Sequence, residues 1–188
     1  MKLLFAVLLA ALALPAAAFA HAKISPPVGL KDQGQVYTLA VPTEKENAFT
    51  TQVEFTPPSG FSIDSFVPTP GWKRTVQQSG SGESAVVTKV TWTGGHVPTG
   101  EDAAFSFLGR PSAAKTYSFG VRQTYSDGSV VDWNGPESSD TPSPTLDVQS
   151  SFGGGGSSTL AIVAIVLGAV GILLGGLALA AGGRRSLA

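Results

Sequence analysis

The sequence contains no cysteine, and its single methionine is Met1, so sulfur chemistry is almost absent from the chain. Without cysteine there is neither a disulfide nor a nucleophilic thiol. Thiolate and thioether groups are also the ligands that hold Cu(I) and iron–sulfur clusters, and beyond residue 1 the chain offers neither. Any metal site must therefore be built from amine, imidazole, carboxylate and carbonyl groups.

Histidine and positive charge are also scarce, which narrows the classes of partner. The chain has two histidines, His21 and His96. All 13 acidic residues lie within residues 21–149, whereas 3 of the 12 basic residues lie outside that range, so the region carries a formal charge of −4. A net negative charge without a basic patch does not match a nucleic-acid-binding surface, and we expect no nucleic-acid partner.

Residues 1–20 have the pattern of a secretory signal peptide. Lys2 supplies the positive start, residues 3–14 are apolar, and Ala18-Phe19-Ala20 is a small-x-small cleavage site. The apolar run is too short to cross a bilayer. We predict cleavage after Ala20, which makes His21 the first residue of the exported chain. Cleavage after Ala18 or Ala22 satisfies the same rule.

The C-terminal end has the pattern of a single transmembrane helix. Residues 159–181 contain no charged side chain, and about 20 apolar residues are enough to span the hydrocarbon core of a bilayer. Residues 150–158, SSFGGGGSS, form a flexible linker before it, and residues 182–188 form a short tail with two arginines. Because such tails stay in the cytoplasm, we predict a single-pass protein of the cell membrane with its domain on the extracytoplasmic side.

Residues 21–149 are predicted to form one domain of about 130 residues made of strands. Apolar and polar residues alternate in several short segments, which clusters of proline, glycine and serine separate. We predict an all-β fold, an antiparallel β-sandwich of the immunoglobulin or cupredoxin class with about seven to nine strands. The core is expected to contain the alternating apolar residues Tyr37, Leu39, Val41, Val53, Phe55, Val86, Val90, Trp92, Phe105, Phe107, Tyr117, Phe119, Val121, Leu146 and Val148.

One hairpin can be aligned residue by residue. Asp127-Gly128, between QTYS and SVVDW, favours a two-residue type I′ turn. Such a turn pairs Arg122 with Trp133, so that Val121 faces the core and Trp133 lies on the opposite face. A one-residue slip or a bulge would reverse the faces. The simplest register therefore predicts that Trp133 is a surface or site residue.

Three residues are candidates for metal chemistry. At a free N-terminus, the α-amine and imidazole Nδ1 of His21 can close a chelate ring on one ion, and Cu(II) is the strongest binder among the divalent first-row metals. The α-amine has a pKa of roughly 7.7–8.0, so copper can displace its proton near neutral pH. Alternatively, His21 merely follows the cleavage site. Glu44, in VPTEKEN, is either a further ligand or a solvated acid, and His96, in GGHVPTG, is expected to be an exposed residue of a turn.

Sequence motifs of hydrolases and nucleotide-binding enzymes are missing. The chain has no H-E-x-x-H motif and no G-x-S-x-G elbow after a strand, and its glycine clusters lack the strand-to-helix context of a phosphate-binding loop. We therefore expect that the protein is not an enzyme.

Four motifs together resemble the YcnI-like domain family. VPTEKENAFTTQVEFTPPSG, PTPGW, VTWTGG followed by PTGE, and QTYSDGSVVDWNGP match that family in order and spacing over roughly residues 22–148. The resemblance implies a sandwich that binds one Cu(II) through a single-histidine brace, formed by the amine and Nδ1 of His21 together with the carboxylate of Glu44. It also implies that Trp133 lies next to the metal and that His96 is not a ligand.

Three functions remain open at this point. The first is a copper-binding protein in copper homeostasis, which would pass copper to another exported protein. The second is a copper-dependent oxidative enzyme, for which a single histidine ligand is the weaker chemistry. The third is a metal-free adhesion or scaffold module, the ordinary role of exported sandwiches.

Overall fold

A computed structural model of the chain describes residues 21–153 and 159–182. The predicted signal peptide, part of the linker and the tail after residue 182 lie outside the described residues. The chain divides into two compact units, one that ends at Ser151 and one that begins at Phe152.

The described part of the first unit consists of twelve β-strands. The strands are β1 Lys23–Ser25, β2 Val28–Leu30, β3 Gln35–Pro42, β4 Phe49–Thr56, β5 Phe61–Phe66, β6 Lys73–Ser79, β7 Val86–Pro98, β8 Asp102–Pro111, β9 Thr116–Ser118, β10 Gly120–Tyr125, β11 Val130–Trp133 and β12 Thr145–Gln149. A single 3₁₀ turn, Gly82–Ser84, connects β6 to β7. The count exceeds the prediction because β1, β2 and β9 are only three residues long.

The strands form a four-stranded sheet β1-β3-β8-β5, a five-stranded sheet β11-β10-β4-β7-β6 and a three-stranded sheet β2-β12-β9. In the described region the strand pairs are antiparallel, except for β2 and β12, which pair in parallel. The two larger sheets pack face to face: Trp92 of β7 stacks on Phe105 of β8 with ring centroids 4.2 Å apart, and Phe55 of β4 lies 5.3 Å from Phe107 of β8. The predicted all-β antiparallel sandwich is confirmed.

The alternating apolar residues that the sequence assigned to the core are buried, with the exception of Val86. Gln77 of β6 pairs with Lys89 of β7, but the next residue, Gln78, pairs with Val87. This bulge inserts one extra residue into β7 and shifts the inward-facing positions by one. Val87 is therefore buried instead of Val86.

The register predicted for the β10–β11 hairpin is wrong by one residue. Val121 pairs with Trp133, and Arg122 pairs with Asp132. The loop contains three residues, because the Tyr125 amide donates to the Ser129 carbonyl at 2.9 Å, and Gly128 has a positive φ of 82° whereas Asp127 does not have the positive φ that a type I′ turn requires. A residue in this left-handed conformation at the end of a three-residue loop is a common alternative to the two-residue turn. Trp133 consequently faces the core and is 1% exposed.

The second unit contains one helix, α1, which spans Thr159–Gly182. Residues Ala161–Ala178 within it have a mean hydropathy of 2.6 and are long and apolar enough to cross a membrane. The side chains of residues 161–178 are exposed. This helix has the length and apolar character of a membrane span, and the boundaries assigned to the linker and the tail stay predictions.

Candidate metal centre

Glu44 lies in the loop between β3 and β4, residues 43–48, and its side chain is exposed. The turn between β7 and β8 holds this loop on one side. The backbone of Thr43 makes two hydrogen bonds to that turn, each of 2.9 Å. The Thr99 hydroxyl donates to the Lys45 carbonyl at 2.6 Å. Both neighbours of Glu44 in the chain are therefore anchored by the same turn.

The β10–β11 hairpin holds the same loop on the other side. Lys45 forms an ion pair with Asp127 and donates a hydrogen bond to the Ser129 hydroxyl at 2.7 Å. Hydrogen bonds from Lys45 and Ser129 hold the pKa of the Asp127 carboxyl well below its usual range. Burial raises the pKa of the Tyr125 hydroxyl, and hydrogen bonds with the backbone of Glu44 and Lys45 oppose that rise.

A chain of buried hydrogen bonds connects Trp133 to the start of this loop. The indole Nε1 of Trp133 donates to Gln123 Oε1 at 3.0 Å. Gln123 Nε2 donates to the Pro42 carbonyl at 2.8 Å and to Thr50 Oγ1 at 2.7 Å. The Thr50 and Thr43 hydroxyls are 2.7 Å apart. Among the described side chains classed as buried, the polar ones are Thr43, Thr50 and Gln123, and all three belong to this chain.

His21 lies next to the same end of β3. Strand β1 pairs antiparallel with β3, with Lys23 opposite Ala40. Continued by two residues toward the N-terminus, the same antiparallel register sets His21 opposite Pro42. Pro42 precedes Glu44 in the chain by two residues. Ala22 is buried in the core whereas the His21 side chain is exposed, so the first strand fixes the backbone and leaves the imidazole accessible.

An open cleft lies beside His21, with a volume of about 660 Å³. Lys23, Pro136, Glu137 and Pro142 are among the residues that line it. Its walls come from β1 and from the segment between β11 and β12. The cleft gives solvent, and any ligand or partner carried by solvent, direct access to His21.

The predicted site residues are thus located as follows. His21, Glu44 and Trp133 belong to segments that converge on the Pro42 end of β3. In the part of the chain that the structure describes, no three histidine, aspartate or glutamate side chains cluster closely enough to hold a metal ion. The predicted donor set contains one imidazole and one carboxylate, and its third donor is an α-amine. In the precursor chain this nitrogen is a peptide amide, so that donor exists only after cleavage.

His96 is not part of a turn, contrary to the prediction. It lies within β7, is exposed, and contacts Phe49 with ring centroids 3.8 Å apart and the rings tilted by 35°. Gln123 and Thr50 were missed by sequence reasoning. The signal for Gln123 was present, because it occupies an inward-facing position of β10 between Val121 and Tyr125, where alternation calls for an apolar residue.

The chemistry of the available donors fits a divalent copper ion. Imidazole and amine nitrogens with one carboxylate oxygen suit Cu(II). Sulfur ligands, which favour Cu(I), are absent from the sequence after Met1. Both candidate side chains, His21 and Glu44, are exposed and can reach an ion that arrives from solvent.

The fold is an immunoglobulin-like sandwich, and the candidate ligands His21 and Glu44 belong to segments at one end of it. The chain belongs to the YcnI-like family, described as "Domain of unknown function (DUF1775)", whose sequence profile matches residues 21–148. A protein of Bacillus subtilis (strain 168) named copper-binding protein CutI is 32% identical over 177 residues, which cover 85% of this chain and 84% of the relative.

A solved structure from Nocardia farcinica, described as revealing an immunoglobulin-like fold, is 37% identical to this chain with a TM-score of 0.57. The match covers 68% of this chain and 97% of the solved one. Nearly all of the solved chain therefore corresponds to the sandwich. We therefore expect residues 21–151 to fold by themselves.

Proposed function

We propose that this chain is a membrane-anchored, extracytoplasmic protein that binds one Cu(II) ion through His21 and Glu44, next to Trp133. Its role is in copper homeostasis or in delivery of copper to another exported protein. The observation that supports the proposal is the antiparallel pairing of β1 with β3. Continued by two residues beyond the Lys23–Ala40 pair, it sets the predicted new N-terminus opposite Pro42, which precedes Glu44 in the chain by two residues. The name of the Bacillus subtilis relative supports copper as the metal.

The chemistry proposed for each residue follows from its donor type. His21 would bind through its α-amine and Nδ1 once the signal peptide is removed, and Glu44 would add a carboxylate oxygen and one negative charge. Copper bound there would be a cationic centre that prefers a square arrangement of nitrogen and oxygen donors. The exposed position of both side chains suits an ion that is cargo, because a partner protein can approach the donors directly.

Helix α1 is proposed to hold the domain at the membrane. Its apolar stretch, Ala161–Ala178, is of the right length and composition. The formal charge of −4 on residues 21–149 favours the approach of metal cations over that of anions. With one histidine ligand and no further catalytic motif, we propose binding and transfer of copper without an enzymatic step.

The test is a Cu(II) titration followed by electron paramagnetic resonance on residues 21–151, produced with a free His21 amine. A matched control carries one extra residue before His21, which converts the His21 amine into a peptide amide and moves the free α-amine to the added residue. We expect tight one-to-one binding and a nitrogen-rich tetragonal spectrum in the first form, and loss of both in the extended form. Equal binding by the two forms would overturn the brace.

A second variant separates the roles of the two ligands. Glu44→Gln keeps the size of the side chain but removes its charge, and we expect weaker Cu(II) binding with the spectrum still dominated by nitrogen. A domain that folds well but has the same melting temperature with and without copper would support the metal-free scaffold function. Copper-dependent turnover with a reductant and oxygen would support the oxidative enzyme.

A further inference from the structure

Gln123 is a fully buried amide at the boundary between the two large sheets. It is 0% exposed and lies on β10 of the five-stranded sheet, and it donates to the Pro42 carbonyl of β3 in the four-stranded sheet. It also donates to Thr50 of β4 and accepts from Trp133 of β11. One side chain therefore connects four strands at the end of the sandwich where His21 and Glu44 are found.

The direction of these hydrogen bonds leaves the amide one orientation. The indole N–H of Trp133 can only donate and the Pro42 carbonyl can only accept. A flipped amide would set its NH₂ against the indole N–H and its oxygen against the carbonyl, and both contacts would be repulsive. The network thus selects a single arrangement of Trp133 relative to Pro42, which a mobile or apolar side chain at position 123 could not do.

An apolar residue would be the expected choice at this position. Burying an amide is unfavourable unless its polar atoms are hydrogen-bonded, and hydrophobic replacements of buried polar groups are often tolerated or stabilising. Gln123 uses both amide protons and its oxygen in three hydrogen bonds of 3.0 Å or less. The contribution of Gln123 is therefore to hold its neighbours in fixed positions. These neighbours are Trp133 and the residues that precede Glu44 in the chain.

We propose that Gln123 is the positioning residue of the candidate metal centre. It orients the Trp133 indole directly. Through the Pro42 carbonyl, and through Thr50 and Thr43, it fixes the backbone from which Glu44 projects. Gln123 itself is not a ligand, since its two polar atoms are occupied and it is enclosed in the core. This inference rests on the proposed function, because it assigns a role at the same site.

The test compares three variants of residues 21–151 with a free His21 amine. Gln123→Met keeps a similar volume and removes all three hydrogen bonds. Thr50→Val keeps the shape of Thr50 and removes its hydrogen bonds with Gln123 and Thr43, while the bonds of Gln123 to Pro42 and Trp133 remain. Phe107→Leu is the matched control, because it weakens the core where β8 pairs with Tyr37, toward the opposite end of these strands from Pro42. Each variant is measured for Cu(II) affinity, for its resonance spectrum and for melting temperature without copper.

We expect Gln123→Met to weaken Cu(II) binding by about 10- to 100-fold, the range found when partners that orient metal ligands are removed, and to change the spectrum. Thr50→Val should produce a smaller loss in the same direction. Phe107→Leu should lower the melting temperature and leave affinity and spectrum unchanged. If Gln123→Met does not fold, the inference is tested by comparing the Cu(II) affinity and spectrum of Thr50→Val with those of Phe107→Leu.

Two outcomes separate this inference from the proposed function. If the unsubstituted domain binds Cu(II) and the Gln123→Met and Thr50→Val variants bind it with the same affinity and spectrum, Gln123 has only a structural role and the inference is wrong. A loss of affinity in Phe107→Leu equal to that in Gln123→Met would lead to the same conclusion. If the unsubstituted domain binds no Cu(II), the proposed function fails and the inference falls with it.

Discussion

At the scale of single residues, the interior of the sandwich separates aromatic from polar side chains. Its middle is a cluster of rings, in which Phe61 contacts Tyr117 and Phe119 with centroids 5.9 and 5.0 Å apart. The hydrogen-bonded polar side chains are collected at the Pro42 end. Since buried polar groups are stable only when they are paired, this grouping lets Thr43, Thr50 and Gln123 pair with one another. Within the aromatic cluster, the Tyr117 hydroxyl is paired with the backbone of Gly60 and Ala113.

The first prediction concerns the stability contributed by the Trp133 indole. Trp133→Phe leaves Gln123 Oε1 without its donor and creates a cavity, so the free energy of unfolding should fall by about 1–3 kcal/mol for the unpaired oxygen alone. Tyr37→Phe is the control, because the Tyr37 hydroxyl is buried and has no hydrogen-bond partner among the described residues. Its removal should leave stability unchanged or slightly higher. Urea unfolding measures both, and equal losses would contradict the prediction.

The second prediction places Trp133 near the metal. Cu(II) should quench part of the tryptophan fluorescence of the domain, and Trp133→Phe should remove most of that quenching. Trp72→Phe serves as the control, because Trp72 packs against Phe105 with centroids 4.9 Å apart and does not take part in the Gln123 network. An equal loss of quenching from Trp72→Phe would show that Trp133 is not the tryptophan beside the metal.

At this scale the sequence predicted reliably which apolar residues are buried, but it predicted less reliably on which face of a strand a given side chain lies. Period-2 alternation identified the inward positions of β3, β4, β8 and β10, because one side of each strand is covered. The face of Trp133 depended on the loop length of one hairpin. A two-residue type I′ turn needs a positive φ at both Asp127 and Gly128, and of this pair Gly128 alone has one, which the Asp-Gly pair itself does not reveal. The interpretation of Trp133 as a site residue therefore rests on the family resemblance and on its hydrogen bond to Gln123, and no longer on strand register.

At the scale of elements, the loop of residues 43–48 is fixed by elements that are distant in sequence. The β7–β8 turn contacts it through Thr99, and the β10–β11 hairpin contacts it through Asp127 and Ser129. A loop clamped from two sides pays its ordering entropy during folding. A ligand that binds to Glu44 would then meet a backbone that is already ordered.

The third prediction tests one of these clamps by its dependence on pH. The pKa of Asp127 is lowered in the folded state relative to its ordinary value of about 3.9, so the Lys45–Asp127 pair stabilises the fold above that value. The contribution should be lost as the pH falls toward the lowered pKa. Asp127→Asn should therefore lower the melting temperature at neutral pH, and the difference from the unsubstituted domain should vanish in strong acid. Both side chains are more than 40% exposed, so added salt should reduce the effect.

Arg122→Gln offers a matched control for that experiment. Arg122 pairs with Asp132 at 2.7 Å on the outer face of the same hairpin, away from the loop of Glu44. If loop clamping is specific, Cu(II) affinity should fall in Asp127→Asn and stay constant in Arg122→Gln. A general effect of net charge would change the affinity in opposite directions, because Asp127→Asn removes a negative charge and Arg122→Gln removes a positive one. A fall of similar size in both variants would therefore indicate a general loss of stability and contradict specific clamping.

The sequence predicted those features of the strands and turns that depend on local residue patterns. The class of fold follows from alternation and turn residues, both of which are local. The bulge in β7 and the three-residue strands β1, β2 and β9 are determined by contacts with other strands, and a short segment shows no periodicity from which to infer them. The position of His21 next to the end of β3 has the same origin, since it depends on the pairing of β1 with β3.

At the scale of the whole molecule, the chain combines a sandwich and one apolar helix. The sandwich contains the candidate metal ligands, and the described side chains of the helix contain no metal-binding type. Nearly all of the solved Nocardia farcinica chain corresponds to the sandwich, and we therefore expect the sandwich of this chain to fold without the helix. Binding and anchoring are therefore expected to be separable properties.

The fourth prediction is that a chain ending at Ser151 loses its attachment to the membrane and keeps its response to copper. Expressed with its native signal peptide, the full chain should sediment with the membrane fraction and the truncated chain should remain soluble outside the cytoplasm. Both forms, the full chain in detergent, should gain about 2.7 kcal/mol of stability at a copper concentration 100 times the Kd, because a ligand that binds only the native state stabilises it by that amount. A truncated chain that still sediments with the membrane would show that the sandwich itself binds lipid or a membrane protein. Loss of the copper response on truncation would mean that the helix contributes to the metal site.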